Sequence, residues 1–281
     1  MAKCFSKLVV FITLSVVVQT ALANISVPFE LINGLIVVEA EVNGEIGNYI
    51  IDSGSNGILL NENSSSSDVS YQTLSSTIEG SETKIETFRV GEFESRQLMG
   101  FSTDLSNIEV FLEKPIDGIL GYTIFNPNSL LFDFENFQMI ISERELNDAD
   151  VLDFHHFPFY VLNDLPIVDL EIAGEIRSFI LDTGASTHFI DRSLRSNFKK
   201  FFVPTGNAKN IVTAGGEDTE AVEYFIMDTN IGASKSLTAY EKDFSEISKL
   251  LEKEISGLIS ISKLCTNKVF FNLNSNTLFY N

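Results

Sequence analysis

Two short stretches of this chain have the residue types for chemistry. Ile50-Ile51-Asp52-Ser53-Gly54-Ser55 returns 130 positions later as Ile180-Leu181-Asp182-Thr183-Gly184-Ala185. Each is an apolar run ending in an aspartate, a hydroxyl residue and a glycine. A single Asp-Ser-Gly is an ordinary turn, because aspartate and glycine both suit turns. Two matched copies suit something else: two carboxylates meeting on a pseudo-two-fold axis. Two carboxylates in hydrogen-bond contact cannot both ionise freely, so they share one proton and their apparent pKa values separate. The ionised member can take a proton from water while the protonated member donates to a carbonyl. Such a pair can hydrolyse an amide without a metal, a cofactor or a covalent intermediate.

The neighbouring residues fit that chemistry. Gly54 and Gly184 let two backbone loops approach closely. Ser53 and Thr183 offer hydroxyls to the opposite loop. Ser55 offers Asp52 a hydrogen bond that Ala185 cannot offer Asp182. Asp52 is therefore expected to be the member more often ionised.

The elements that must position these groups are duplicated too. Pro28–Asn61 aligns without a gap on Pro158–Asp191, with twelve identities, among them Asn33/Asn163, Leu35/Leu165, Gly44/Gly174, Asp52/Asp182 and Gly54/Gly184. Such internal repetition decides the architecture before any local pattern does. A second block, Ile116-Asp117-Gly118-Ile119-Leu120-Gly121 followed by Leu131–Phe134, faces Ile255-Ser256-Gly257-Leu258-Ile259-Ser260 followed by Phe270–Leu273. Its offset is 139, so about nine residues are added in the second half, expected as loop.

Within each half strand patterns dominate. Leu35–Val42 and Asn48–Asp52 flank the hairpin signal Asn43-Gly44, and Pro166–Ile172 with Ser178–Asp182 repeat it around Ala173-Gly174. Thr77–Arg89 and Ile211–Met227 are expected as hairpins with tips at Gly80 and at Gly215-Gly216. Arg192–Phe202 and Asp243–Leu251 are the helical segments. The segments Leu130–Ile141 and Val269–Tyr280 close the two halves.

A length of 281 residues fits two domains. The reading is 1–23 signal peptide, 24–141 first domain, 142–155 linker and 156–281 second domain. Lys3 and Lys7, the apolar run Leu8–Val18 and the small-residue site Ala21-Leu22-Ala23 make the first segment a secretory signal, cleaved after Ala23. The expected location is secreted or periplasmic, with no membrane span afterwards and no pro-segment to remove. Loss of the two lysines takes the formal charge from −20 to −22, which disfavours nucleic acid and anionic membranes as partners. Cys265 alone remains, so no internal disulfide forms and each half is held by its core. Three histidines and the absence of Gly-x-Ser-x-Gly and His-Glu-x-x-His leave serine and zinc hydrolases without a constellation. His155 and His156 are expected at the surface, and His188 as a structural histidine.

The ordered set of Asp-Ser/Thr-Gly after an apolar strand, a glycine-bearing hairpin and an apolar-apolar-glycine run resembles the retroviral-type aspartic peptidases. The resemblance spans most of residues 28–141 and 158–280. It implies a mainly β chain of two tandem retropepsin-like acid-protease β-barrel domains related by pseudo-two-fold symmetry, with the active-site cleft between them. By that resemblance Asp52 and Asp182 are the catalytic pair, Ser53, Gly54, Ser55, Thr183, Gly184 and Ala185 form the supporting loops, and Gly80, Gly215 and Gly216 mark flap tips. It implies a monomer with an internal pseudo-dimer, a polypeptide substrate, no cofactor and no metal. One departure is Ser260, which replaces the glycine present at Gly121. A second reading therefore stays open: an inactive peptide-binding or inhibitory protein on the same fold.

Overall fold

The computed structural model describes residues 24–62, 69–74, 77–143, 153–231, 234–264 and 267–281. The segment expected as a signal peptide, 1–23, Cys265 and most of the expected linker, 144–152, lie outside the described residues.

Each lobe starts from the same meander. Leu35–Val42 pairs antiparallel with Glu45–Asp52 around Asn43-Gly44, and Leu165–Ile172 pairs with Glu175–Asp182 around Ala173-Gly174. Both turn residues have positive φ, 52° and 86° in the first turn and 55° and 82° in the second. That is the geometry a two-residue hairpin requires, and Asn-Gly enters it at little cost. The strand ending at Asp52 then pairs in parallel with Gly118–Gly121, and the strand ending at Asp182 with Gly257–Ser260. Each aspartate therefore ends a strand whose Ile51 or Leu181 is fully buried.

Beyond the dyad loops the offset of 130 holds to Asn61 and Asp191. There the two side chains do one job. Asn61 Oδ1 accepts the backbone N–H of Leu105 at 2.8 Å, and Asp191 Oδ2 accepts that of Phe244 at 2.8 Å. Each bond sets the start of a short helix, Ser106–Leu112 in one lobe and Ser245–Leu250 in the other. Leu105 and Phe244 are 139 apart, so the extra residues lie between these points. They were expected as loop. Instead the second lobe places them in the expected helix, Arg192–Asn197, and in the long arms of the expected hairpin, Phe202–Thr213 and Gly216–Ile231. Among the described residues the first-lobe hairpin pairs Val69–Gln72 with Thr77–Gly80. Paired backbone satisfies the added polar groups that a loop would have left to solvent.

The lobes are joined by one antiparallel sheet of six strands. Its order is Ile25–Ile32, Gln138–Ser142, Ser129–Asp133, Lys268–Asn272, Thr277–Tyr280 and His155–Pro158. His155 and His156 are exposed, as expected, but on an edge strand of this sheet. At its centre Leu131 pairs with Phe270, its own duplicate. The pseudo-two-fold axis thus passes through that pair. A hydrophobic core containing Phe132, Phe179, Phe271 and Ile51 runs through both lobes behind the sheet. Burying each such side chain contributes roughly 2–3 kcal/mol.

Candidate active site

The pseudo-symmetric packing brings the two Asp-x-Gly loops together. Ser53 Oγ donates to the Leu181 carbonyl at 2.9 Å and accepts the Thr183 N–H at 3.0 Å. Thr183 Oγ1 donates to the Ile51 carbonyl at 2.8 Å and accepts the Ser53 N–H at 2.9 Å. Four reciprocal bonds, all buried, lock each loop to the strand of the other. Their low-dielectric setting strengthens them and makes the loss of any partner costly.

Above this lattice the carboxyls of Asp52 and Asp182 lie in hydrogen-bond contact. Asp52 Oδ1 accepts the Gly54 N–H at 2.7 Å and Asp182 Oδ1 accepts the Gly184 N–H at 2.6 Å. The glycines are fixed by space. A Cβ at Gly184 would sit 2.4 Å from Cγ of Asp52, and one at Gly54 would sit 3.0 Å from Cγ of Asp182. Burial raises both carboxyls above the usual range. The charge on Asp52 then lifts Asp182 further, while a hydrogen bond from Asp182 favours the charged form of Asp52. The pair shares one proton and titrates as a unit.

The hydrogen bond expected to favour an ionised Asp52 is absent. Ser55 Oγ is buried and has no hydrogen-bond partner among the described residues, so it does not donate to Asp52. The proton shared with Asp182 does that instead. Ala185, its counterpart, is also buried and lines the cleft.

Ser260 settles into the second loop without crowding it. It is fully buried, and its Oγ donates to the Ala185 carbonyl at 2.7 Å. Its N–H donates to Nδ1 of His188 at 3.1 Å. His188 is buried, and that burial, with the Lys263 charge, lowers its pKa from 6.5 to about 4. The ring is neutral with Nδ1 as acceptor, a structural role as expected. In the first lobe the same positions hold Gly121 and Ile58, and the Gly121 N–H donates to the Gly57 carbonyl at 2.7 Å. A Cβ at Gly121 would lie 2.5 Å from the Ser55 carbonyl oxygen.

Two hairpins cross over the dyad, one from each lobe. Leu74, at the end of the first-lobe hairpin, packs on the second-lobe cluster of Phe244, Ile247 and Leu258. Val212 and Ala214, at the end of the other, pack on the first-lobe cluster of Leu105, Ile108 and Leu112. The turn Ala214-Gly215 between Thr213 and Gly216 puts Gly215 and Gly216 at a hairpin tip. Gly80 is not at a tip. It lies within the strand Thr77–Val90, where a Cβ would meet the Ser102 carbonyl oxygen at 2.0 Å. Its glycine serves a close strand crossing. Leu74 and the helix Ser106–Leu112 were missed by sequence reading. The helix had a signal, since it lies 139 positions before Ser245–Leu250. Leu74 had none.

Between the hairpins and the dyad lies a cavity of about 180 Å³. Leu35, Ile50, Leu59 and Ile119 wall one side, and Phe189, Phe244 and Leu258 the other. A largely apolar lining of this kind strengthens the electrostatics at its floor.

The sequence matches no protein-family profile and no curated protein. In three dimensions the chain is similar to an aspartic proteinase from Irpex lacteus, with 13% identity and a TM-score of 0.53, over 92% of this chain and 96% of that one. It is also similar to Basic 7S globulin from soybean, with 11% identity and a TM-score of 0.52, over 92% and 95% of the two chains. The fold is the two-lobed fold of the pepsin-like aspartic proteinases.

Proposed function

We propose that this chain is an aspartic-type endopeptidase in which Asp52 and Asp182 activate water. The observation that carries this reading is the buried carboxyl pair held over the reciprocal Ser53/Thr183 bonds. The fold alone does not, because it is shared with a protein described as a globulin. Binding a peptide does not call for two like charges to be buried in contact, which costs stability.

In the proposed reaction the peptide lies extended between the dyad and the two hairpins, bonding to their strands. Asp52, ionised, takes a proton from water as its oxygen attacks the scissile carbonyl carbon. Asp182 donates its proton to the carbonyl oxygen, giving a neutral gem-diol. The leaving nitrogen is then protonated from the dyad, the C–N bond breaks and the carboxyl product forms. The Gly54 and Gly184 N–H groups orient the carboxylates throughout. The apolar cavity walls favour apolar side chains beside the scissile bond.

The finer affinity we propose is to the retroviral type. Each lobe contributes its own hairpin over the site, and the chain is then one fused pseudo-dimer acting as a monomer. Export through the segment 1–23, with cleavage after Ala23 and a secreted or periplasmic location, belongs to the same proposal. No helix among the described residues is long and apolar enough to cross a membrane.

The test is peptide hydrolysis from acidic to neutral pH, with and without a statine-type inhibitor, by the wild type and Asp182→Asn. Turnover blocked by the inhibitor and lowered at least ~10³-fold by the substitution is expected. Cleavage indifferent to both would remove the dyad from the reaction. Tight peptide binding with no turnover would instead favour the inactive peptide-binding reading.

A further inference from the structure

A second pocket, of about 520 Å³, opens on the second lobe beside the loop that follows Asp182. It adjoins the cleft at Ser186 and Lys209, which line both. Its chemistry is unlike that of the cleft. It presents two ammonium groups, Lys209 and Lys263, with the hydroxyls of Thr187 and Thr238.

Two features make these lysines unusual. The chain has 39 acidic and 19 basic residues, so acids are the common neighbours of any lysine. Yet neither Lys209 nor Lys263 forms a salt bridge among the described residues. The one carboxylate among the described lining residues, Glu223, is already engaged. It accepts from Thr205 Oγ1 and Asn207 Nδ2, both at 2.7 Å, and from Tyr240. Lys209 is also held in place, its Nζ 4.5 Å from the centroid of the Tyr240 ring. Burial, then the nearby Lys263 charge, lowers its pKa, and the charge of Glu223 offsets them only in part. An anion between the two ammonium groups would relieve that repulsion and make charge-assisted hydrogen bonds.

We infer that this pocket is a specificity subsite for an acidic side chain of an extended peptide, its carboxylate held between Lys209 and Lys263. This rests on the reading of the cleft as a peptide site. Lys209 belongs to the hairpin strand Phe202–Thr213, whose next residues, Asn210 to Thr213, line the cleft. A peptide bonded along that strand sends alternate side chains to opposite sides. Ser186, four residues after Asp182, marks the boundary, so the subsite lies a few residues from the scissile bond. The apolar cleft then selects the residues at the bond and the basic pocket selects one beyond it.

The experiment is equilibrium binding of statine-centred peptides that differ only by Glu, Gln or Lys, placed in turn two to four residues to each side of the statine. The wild type is compared with Lys209→Met and Lys263→Glu. At one position on one side, Glu is expected to bind about tenfold tighter than Gln, with Lys weaker still. The Glu preference should disappear in Lys209→Met, invert toward Lys in Lys263→Glu, and weaken in high salt. Peptides ending at that position in a free or an amidated terminus test whether a chain-terminal carboxylate is the ligand instead. Equal affinities at every position, a preference untouched by both substitutions, or one confined to the free terminus would overturn the inference. Absent turnover of cleavable peptides alongside an intact Glu preference would sink the catalytic reading alone.

Discussion

The first lobe supports its aspartate loop by fitting backbone against backbone, and the second supports an almost identical loop with side chains. Under Asp52, Gly121 lies against the Ser55–Gly57 segment and gives its N–H to a carbonyl. Under Asp182, Ser260 gives its hydroxyl to the Ala185 carbonyl and its N–H to an imidazole. Nearby, both lobes use a side chain for one equivalent N–H, but a different one. The N–H of Ile116 is taken by the Glu109 carboxylate, and that of Ile255 by the Ser248 hydroxyl. What the duplication preserved is the demand of each buried backbone group for a partner. The residue that meets the demand was free to change, provided its neighbours changed with it.

Exchanging the two solutions should expose that dependence. Gly121→Ser carries the larger expected effect. Its Cβ would meet the Ser55 carbonyl oxygen at 2.5 Å and the Gly57 nitrogen at 2.8 Å, both backbone atoms that cannot swing away. A loss of at least ~3 kcal/mol is expected in urea titration. Peptide cleavage should fall at least ~10²-fold, because the dyad loop must move. Ser260→Gly should cost only about 2 kcal/mol, from an unpaired Ala185 carbonyl and a more flexible backbone. If the two exchanges cost the same, the lobes are not specialised as described.

His188→Ile, which copies Ile58 of the first lobe, tests the pH behaviour of the contrast. A histidine whose folded pKa is lowered from 6.5 to about 4 contributes stability that is present above 6.5 and lost as pH falls toward 4. That loss is about 3 kcal/mol. Asp182 acts in the opposite sense. Its raised pKa favours the fold at low pH and ceases to as pH rises through the folded value. The variant should be less stable than the wild type at neutral pH, where Ser260 loses its acceptor. The gap should close as pH falls to 4, when stability is followed at several pH values. A constant gap would mean that His188 does not remain neutral.

The smallest effect is expected from Ser55→Ala, which makes the first loop like the second. The hydroxyl has no partner among the described residues, so its removal should leave stability within about 1 kcal/mol, on the stabilising side. The acidic limb of the pH–rate profile should stay in place. A shifted limb would restore the bond from Ser55 to Asp52 that the geometry lacks.

The residues that carry this comparison differ in how far the sequence revealed them. The dyad loops and the meander behind them were legible because close approach across an axis permits few residue types, and both copies retain them. The reciprocal roles of Ser53 and Thr183 followed from the same matching. Gly80 misled because a glycine marks either a turn or a tight crossing, and only the position of Ser102, 22 residues away, distinguishes them. The role of Ser260 depended on His188, 72 positions earlier. The helix and hairpin that hold the added residues of the second lobe were marked by their own patterns, but the length of the hairpin arms was set only by their pairing. Long-range partners, rather than local propensity, were what the sequence could not display.

The pairing of Leu131 with Phe270 bears on the order in which the protein acquires its properties. Within a lobe most strands find partners nearby in the chain, but this contact closes a loop of 139 positions. Closing so long a loop is entropically slow relative to forming the hairpins it joins. Each lobe can therefore gain most of its sheet before the two meet. The carboxyl pair exists only after they do, since each loop is held by hydrogen bonds to the other. During synthesis and refolding, activity should be the last property to arrive. During unfolding it should be the first to go, at a denaturant concentration where the separate lobes still retain their strands.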